Sequence, residues 1–259
     1  MEITLEICCD SADSVQAAID GGADRIELCS ALSEGGVTPS PGLQAAAVAS
    51  GALPIYVLIR PRGGDFLYTE REWHIIYDDI SRAGALGARG VVIGALDADG
   101  HLDVKRLSRA VQEVGPMDIT FHRAFDMCSD PRRALQELMD LGIRRVLTSG
   151  QQASAETGAA CIRQWVNQVR GQISLMPGCG VNARNVAHIL RETGATEVHA
   201  SARALQPSLM RFCREDVKMG AADRDEFSRY VTDVDEVSRL RAELDRHAGT
   251  ACETAPPAY

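Results

Sequence analysis

The sequence lacks any run of about 18 apolar residues, so nothing in it reads as a membrane-spanning helix. It also lacks a surplus of positive charge. Its 27 Lys and Arg against 36 Asp and Glu leave a net charge of −9, which removes the broad basic footprint of nucleic-acid binding. No CxxC pair and no zinc-ligand spacing occurs among the eight cysteines. In a cytosolic chain such cysteines are expected as free thiols, not as a disulfide framework. A GxGxxG turn after the first strand is missing too, which counts against a doubly wound dinucleotide fold. Met1-Glu2-Ile3 leads straight into a strand without a charged-then-apolar leader, so the cytoplasm is the expected compartment. No linker or composition break divides the chain. At 45% hydrophobic and 24% charged, its composition is ordinary for a globular protein.

What is present is a repeated unit. Apolar strand-like runs fall at about 3–8, 24–29, 54–60, 90–94, 118–122, 144–149, 173–177 and 196–200, with amphipathic helical patterns between them. Ser11 and Gly21-Gly22 bracket the first helix, and Ser40-Pro41 and Asp130-Pro131 open two others. Asn182 is expected to begin the seventh helix, and the last is expected over 233–246. Eight strand–helix units in this length predict a single (β/α)8 TIM barrel. The barrel domain is read as 1–247. Residues 248–259, rich in small residues and carrying Pro256-Pro257, read as a flexible tail.

Period-two alternation separates the two faces of each strand. Leu5, Ile7, Ile26, Leu28, Ile119, Phe121 and Val198 are expected to face the helices. Glu6, Cys8, Glu27, Cys29, Thr120, His122, Glu197 and His199 are expected to face inward. Acidic and histidine side chains inside a barrel are costly unless paired. Glu6, Glu27, Arg60, His122 and His199 are therefore expected to form one polar cluster at the C-terminal rim of the strands, where such barrels build their sites. Glu6 and Glu27, read at matching depth, are candidates to divide acid and base roles, with structural ion pairing to Arg25, Arg60 or Arg62 the competing reading. His122 and His199 are candidates for proton transfer, or simply hydrogen-bonded core histidines.

Cys8 and Cys29 are expected side by side on neighbouring strands, about 5 Å apart. Two thiolates suit a soft monovalent ion such as Cu(I), and two buried cysteines also serve as small hydrophobes. An anion site is the other candidate. Arg60, Arg62, Asp65 and Arg123 lie in loops after strands, and Gly178, Gly180 and Ser201 follow strands seven and eight, the usual phosphate position in these barrels. The loop Arg62-Gly63-Gly64-Asp65-Phe66 reads as an anion clamp, a lid, or a turn in which Asp65 pairs with an arginine. Trp73 and Tyr77 read as packing, and Asp97-Ala98-Asp99-Gly100-His101 as a surface turn.

Several segments carry a family resemblance: Leu5-Glu6-Ile7-Cys8, Gly22 to Cys29, Glu34 to Ser40, Ile59 to Phe66, Thr120 to Asp126 and Val146 to Gly150. Over about 3–245 the chain closely resembles the CutC family of copper homeostasis proteins. That resemblance implies a TIM barrel, a cytoplasmic location and a role in copper homeostasis or copper binding. It also implies that Cys8 and Cys29 stand at the positions linked to Cu(I) in a eukaryotic relative. Cys179 departs from the pattern, standing where the family carries glycine, and Cys9 also occupies a variable position. Two functions follow as expectations. One is Cu(I) binding through Cys8 and Cys29. The other is an enzyme of unknown reaction acting on a small anionic or phosphorylated metabolite. Neither involves a membrane or nucleic acid, and a homodimer is the base-rate expectation.

Overall fold

The hydroxyl of Ser11 accepts from Ser14 N–H and starts α1 (Ala12–Asp20) directly after β1 (Thr4–Cys9). The same punctuation recurs through the chain in the computed structural model, which describes residues 3–214, 216–217, 219 and 225–253. β2 (Arg25–Leu28) precedes α2 (Pro41–Ala49), capped by Ser40, and β3 (Ile55–Leu58) precedes α3 (Glu70–Ala85). Thr69 and Glu72 form a capping box at the start of α3, reciprocally satisfying backbone donors. β4 (Gly90–Ile93), α4 (Val104–Val114), β5 (Asp118–Phe121), α5 (Pro131–Asp140), β6 (Arg145–Thr148) and α6 (Ala159–Val169) continue the repeat. β7 (Ser174–Pro177), α7 (Val186–Thr193) and β8 (Glu197–Ala200) follow. Asn185, not Asn182, caps α7, because Asn182 is held in a preceding turn by Gly180 and Arg184.

The eight strands pair in parallel in the order β7-β6-β5-β4-β3-β2-β1-β8. This is the expected TIM barrel, with one seam. Among the described residues no backbone ladder joins β7 to β8, and side chains inside the barrel tie β8 to β6 and β2. Arg145 on β6 and Arg25 on β2 both reach Glu197 on β8, at 2.5 and 2.6 Å.

Between β8 and the last helix the chain makes an antiparallel hairpin, β9 (Arg203–Pro207) with β10 (Ser228–Thr232). The repeat pattern gave no sign of it. α8 (Val234–Glu253) then runs past the expected end at 246, into the segment read as tail; residues 254–259 lie outside the described residues. Among the described residues no helix is long and apolar enough to cross a membrane.

The expected alternation holds. Leu5, Ile7, Ile26, Leu28, Ile119, Phe121 and Val198 belong to the core between strands and helices, with Trp73 and Tyr77 packed there as well. Inside the barrel, a second and smaller apolar cluster contains Cys8, Cys29, Tyr56, Leu58 and Val92. The base of the interior is ionic. Arg25 Nε lies 2.5 Å from Glu6, which is wholly buried, and the Arg25 guanidinium sits 5.2 Å from the Tyr56 ring centroid. The Tyr56 hydroxyl donates to Asp118, and Arg145 donates to Thr120. Removing one partner of a buried pair strands the other charge. Glu6→Ala is therefore expected to lower unfolding free energy by about 3–5 kcal/mol, measured by urea denaturation.

Candidate functional site

Above this ionic floor the C-terminal mouth of the barrel holds a cavity of about 210 Å³. Cys8, Glu27 and His199 line one wall; Arg60, Phe66, His122 and Arg123 line the other. Larger grooves of about 630 and 540 Å³ run along the β9–β10 hairpin, and neither is lined by cysteine or histidine. The barrel mouth is where the reactive groups converge.

Behind the first wall the fully buried Cys29, outside the cavity lining, places its Sγ 3.6 Å from that of Cys8, and both cysteines are free. A disulfide needs about 2.05 Å, so this is a pair of thiols in contact. Cys8 also lies 3.4 Å from Glu27 Oε1. Cys8, Glu27 and His199 bring three ligand atoms within 4.8 Å of one another. His199 Nδ1 is 2.7 Å from Glu6 Oε1 and 3.9 Å from Glu27 Oε2.

These contacts set the protonation states. Burial would raise the Glu6 carboxyl, but the Arg25 guanidinium and His199 outweigh it and hold the group far below the usual carboxylate range. Burial opposes an imidazolium at His199, yet Cys8, Glu27 and Glu6 outweigh it and raise this histidine well above its ordinary value. Glu27 is raised, by burial first and by the Glu6 charge, with His199 pulling the other way. Contact with Cys29 and burial push the Cys8 thiol well up. At Cys29 the contact with Cys8 favours the thiolate, but burial and Glu27 prevail and this thiol is raised as well. Without an ion the wall therefore carries two protonated thiols beside a charged imidazole.

The second wall is cationic and rigid. Arg60 donates to three backbone carbonyls, those of Glu34, Gly36 and Gly64, at 2.7–2.8 Å. Its guanidinium lies 5.2 Å from the Phe66 ring centroid. His122 Nδ1 accepts from Ala124 N–H at 3.0 Å, while Nε2 is buried with no partner. Burial, and then the Arg60 charge, lower His122 to about 3, so the ring is neutral at pH 7. Arg123 is fixed at the entrance by Asp126 and Ser149.

The structure rearranges the expected site. Glu6 and Glu27 are not at one depth: Glu6 registers with Arg25, and Glu27 with Cys8. Glu6 thus sits a layer below the cavity and orients His199. Arg60 and His122 share the cavity with Glu27 and His199, but no hydrogen bond joins the two walls into one cluster. Arg62 and Asp65 lie outside the lining. Arg62 pairs with Glu72 at 2.5 Å and Asp65 at 3.1 Å, clasping its own loop. Gly178 donates its N–H to Thr148 and packs against His199, where an added Cβ would come within 2.4 Å of Leu147. Gly180 accepts from Asn182 and Asn185, and the Ser201 carbonyl accepts from Thr232. These three residues also lie outside the cavity lining. Cys179 has a φ of 81°, a left-handed backbone that favours glycine. Asp97, Asp99 and His101 form the expected surface turn, with the Asp97 carboxylate accepting from two backbone N–H groups.

Arg145 and Asp126 were not singled out in the sequence. Arg145 stands at the start of β6, in phase with inward Leu147, and that phase was the available signal. Asp126 lies in the turn after β5 and had no such pattern. Its carboxylate gathers Thr148, Ser149, Gln151 and Arg123.

A parallel (β/α)8 barrel with paired thiols, a histidine and a buried acid at its mouth defines the class. The CutC family model matches residues 3–204, and the chain belongs to the CutC family. A human relative, "Copper homeostasis protein cutC homolog", is 48% identical over 239 residues, spanning 92% of this chain and 88% of that one. A CutC family protein from Vibrio campbellii is 44% identical over 248 residues, covering 95% of this chain and 100% of that one. The crystal structure of a CutC protein from Streptococcus agalactiae superposes with a TM-score of 0.74 at 30% identity, covering 77% of this chain and 98% of that one.

The two histidines impose opposite pH dependences. For His122, folded at about 3 against 6.5, the stabilisation is complete above pH 6.5 and is lost as pH falls towards 3, at up to about 1.4 kcal/mol per unit. For His199, raised on folding, the contribution is complete below the ordinary value and is lost as pH rises through the folded one. Urea midpoints across pH are expected to fall on the acid side, and His122→Asn is expected to flatten that limb.

Proposed function

We propose that this chain binds Cu(I) in the cytoplasm as part of copper homeostasis. The observation that carries the reading is the 3.6 Å contact between the Cys8 and Cys29 thiols at the barrel mouth. Thiolates are the ligands that select Cu(I) over harder cations, and the site supplies two. His199 and Glu27 both lie beside Cys8, the charged imidazole as a counter-charge to sulfur and not as a ligand. The copper homeostasis name of the 48% identical human relative supports the assignment.

The donor set fits a soft ion better than zinc or calcium. A structural zinc site wants four fixed ligands, and calcium wants six or more oxygens. Both thiols must lose protons to bind a metal, because burial keeps them protonated. Glu27, 3.4 Å from the Cys8 sulfur and raised above its ordinary value by burial, is placed to take the first. The charged His199 imidazole then compensates the negative charge that develops on sulfur.

A competition titration with Cu(I) on reduced protein tests this. One ion per chain is expected, with about two protons released and affinity rising with pH. Cys8→Ser combined with Cys29→Ser is expected to abolish tight binding. Affinity unchanged in that double variant would rule out the thiol site.

A further inference from the structure

The thiol corner uses only one wall of the cavity. The opposite wall contains two buried groups that copper binding does not need. Arg60 is 6% exposed, and among the described residues it forms no ion pair. Its bonds are to three neutral carbonyls. Carbonyls fix the orientation of a guanidinium but leave its charge uncompensated, and buried charge is costly without a counter-ion. His122 is the second group. Its Nδ1 accepts a backbone N–H, which places the ring proton on Nε2. That Nε2–H is buried and has no acceptor. Native structures leave few buried donors unsatisfied, and such a group lining a cavity is available to a water, an ion or a ligand there.

The wall is also built to hold these groups still. Phe66 packs on both, 5.2 Å from the Arg60 guanidinium and 5.0 Å from the His122 ring centroid. Gly94 lies against His122 so closely that an added Cβ would come within 2.4 Å of the ring. Arg123 stands beside them with its Nε and one Nη committed to Asp126 and Ser149. The apolar Phe66 face lowers the local dielectric and strengthens any charge–charge contact made there.

We propose that Arg60 and His122, with Arg123 at the entrance, form a subsite for the carboxylate or phosphate group of a small metabolite. The guanidinium supplies the charge, and the neutral histidine supplies a directed N–H. A cavity of about 210 Å³ is smaller than the roughly 300–1,000 Å³ of pockets for drug-sized ligands. The ligand is therefore of low molecular weight, with its anionic end on the Arg60 wall and the rest directed toward Glu27 and His199. Arg62 and the glycine turn after β7 are not part of this site.

Calorimetric titration of the full reduced chain, free of copper, with inorganic phosphate and separately with malonate tests the proposal. At least one is expected to bind at one per chain. Phosphate alone would identify a phosphorylated ligand, and malonate alone a carboxylic acid. Arg60→Ala removes the charge but also leaves three carbonyls without their donor, so it perturbs folding as well as binding. His122→Asn is the cleaner variant, because the Asn oxygen can still accept from Ala124 while the Nε2–H is lost. It is expected to weaken binding about tenfold or more. Arg62→Ala is expected to bind like the unmodified chain. No binding of either anion by the folded chain would overturn the proposal. So would His122→Asn affinity within about twofold of the unmodified chain.

Discussion

The buried contact between Glu6 and Arg25 is the constraint from which the rest of the barrel mouth is built. A carboxylate with no exposure inside a barrel is tolerated only with a full set of partners. Glu6 has Arg25 on one oxygen and His199 on the other. Arg25 in turn shares Glu197 with Arg145. This chain of contacts ties β1, β2, β6 and β8 together at one level. It also fixes the His199 ring, and with it the side of that ring that faces Cys8. Reactive groups one layer higher inherit their positions from this floor.

The floor also decides how charge is distributed in the cavity. Glu6 keeps its negative charge because Arg25 and His199 stabilise it. Glu27, a layer up and without an arginine partner, is raised by burial and by the Glu6 charge. Two carboxyls that look alike in sequence thus diverge by environment, the same division seen wherever an enzyme or metal site tunes paired acids. The histidines diverge in the same way. His199 is charged among acids, and His122 is neutral beside Arg60.

Much of this was legible from residue alternation. Leu5 and Ile7 against Glu6 and Cys8, and Ile26 and Leu28 against Glu27 and Cys29, identify the outward and inward faces without coordinates. Alternation gives the face but not the shear between strands, which is why Glu6 and Glu27 were read as level when Glu6 registers with Arg25. For Arg62 and Asp65 the reading as a turn closed by an Asp–Arg pair holds and the anion-clamp reading does not, because a loop side chain has no period and Glu72 on α3 sets the direction of Arg62. The β9–β10 hairpin was missed for a related reason. Its strands are mostly exposed and separated by a long excursion, so neither apolar alternation nor a tight turn announces them. Carbonyl cradles such as the one around Arg60 have no side-chain signature at all.

The seam between β7 and β8 has a consequence for motion. Among the described residues every other neighbouring pair in the barrel is joined by backbone hydrogen bonds and this one is not, while Glu197 reaches past β7 to Arg145 on β6. Amide protection follows ladder bonding, so the seam-facing sides of β7 and β8 are expected to exchange faster than laddered positions. His199 is on one lip, and Gly178, packed against it, is on the other. Breathing along this line would loosen the histidine from its neighbour while the Cys8–Cys29 pair, seated on the fully laddered β1–β2 side, stays in place. The two sulfurs thus lie on strands laddered on both sides, while His199 lies on a strand that borders the seam.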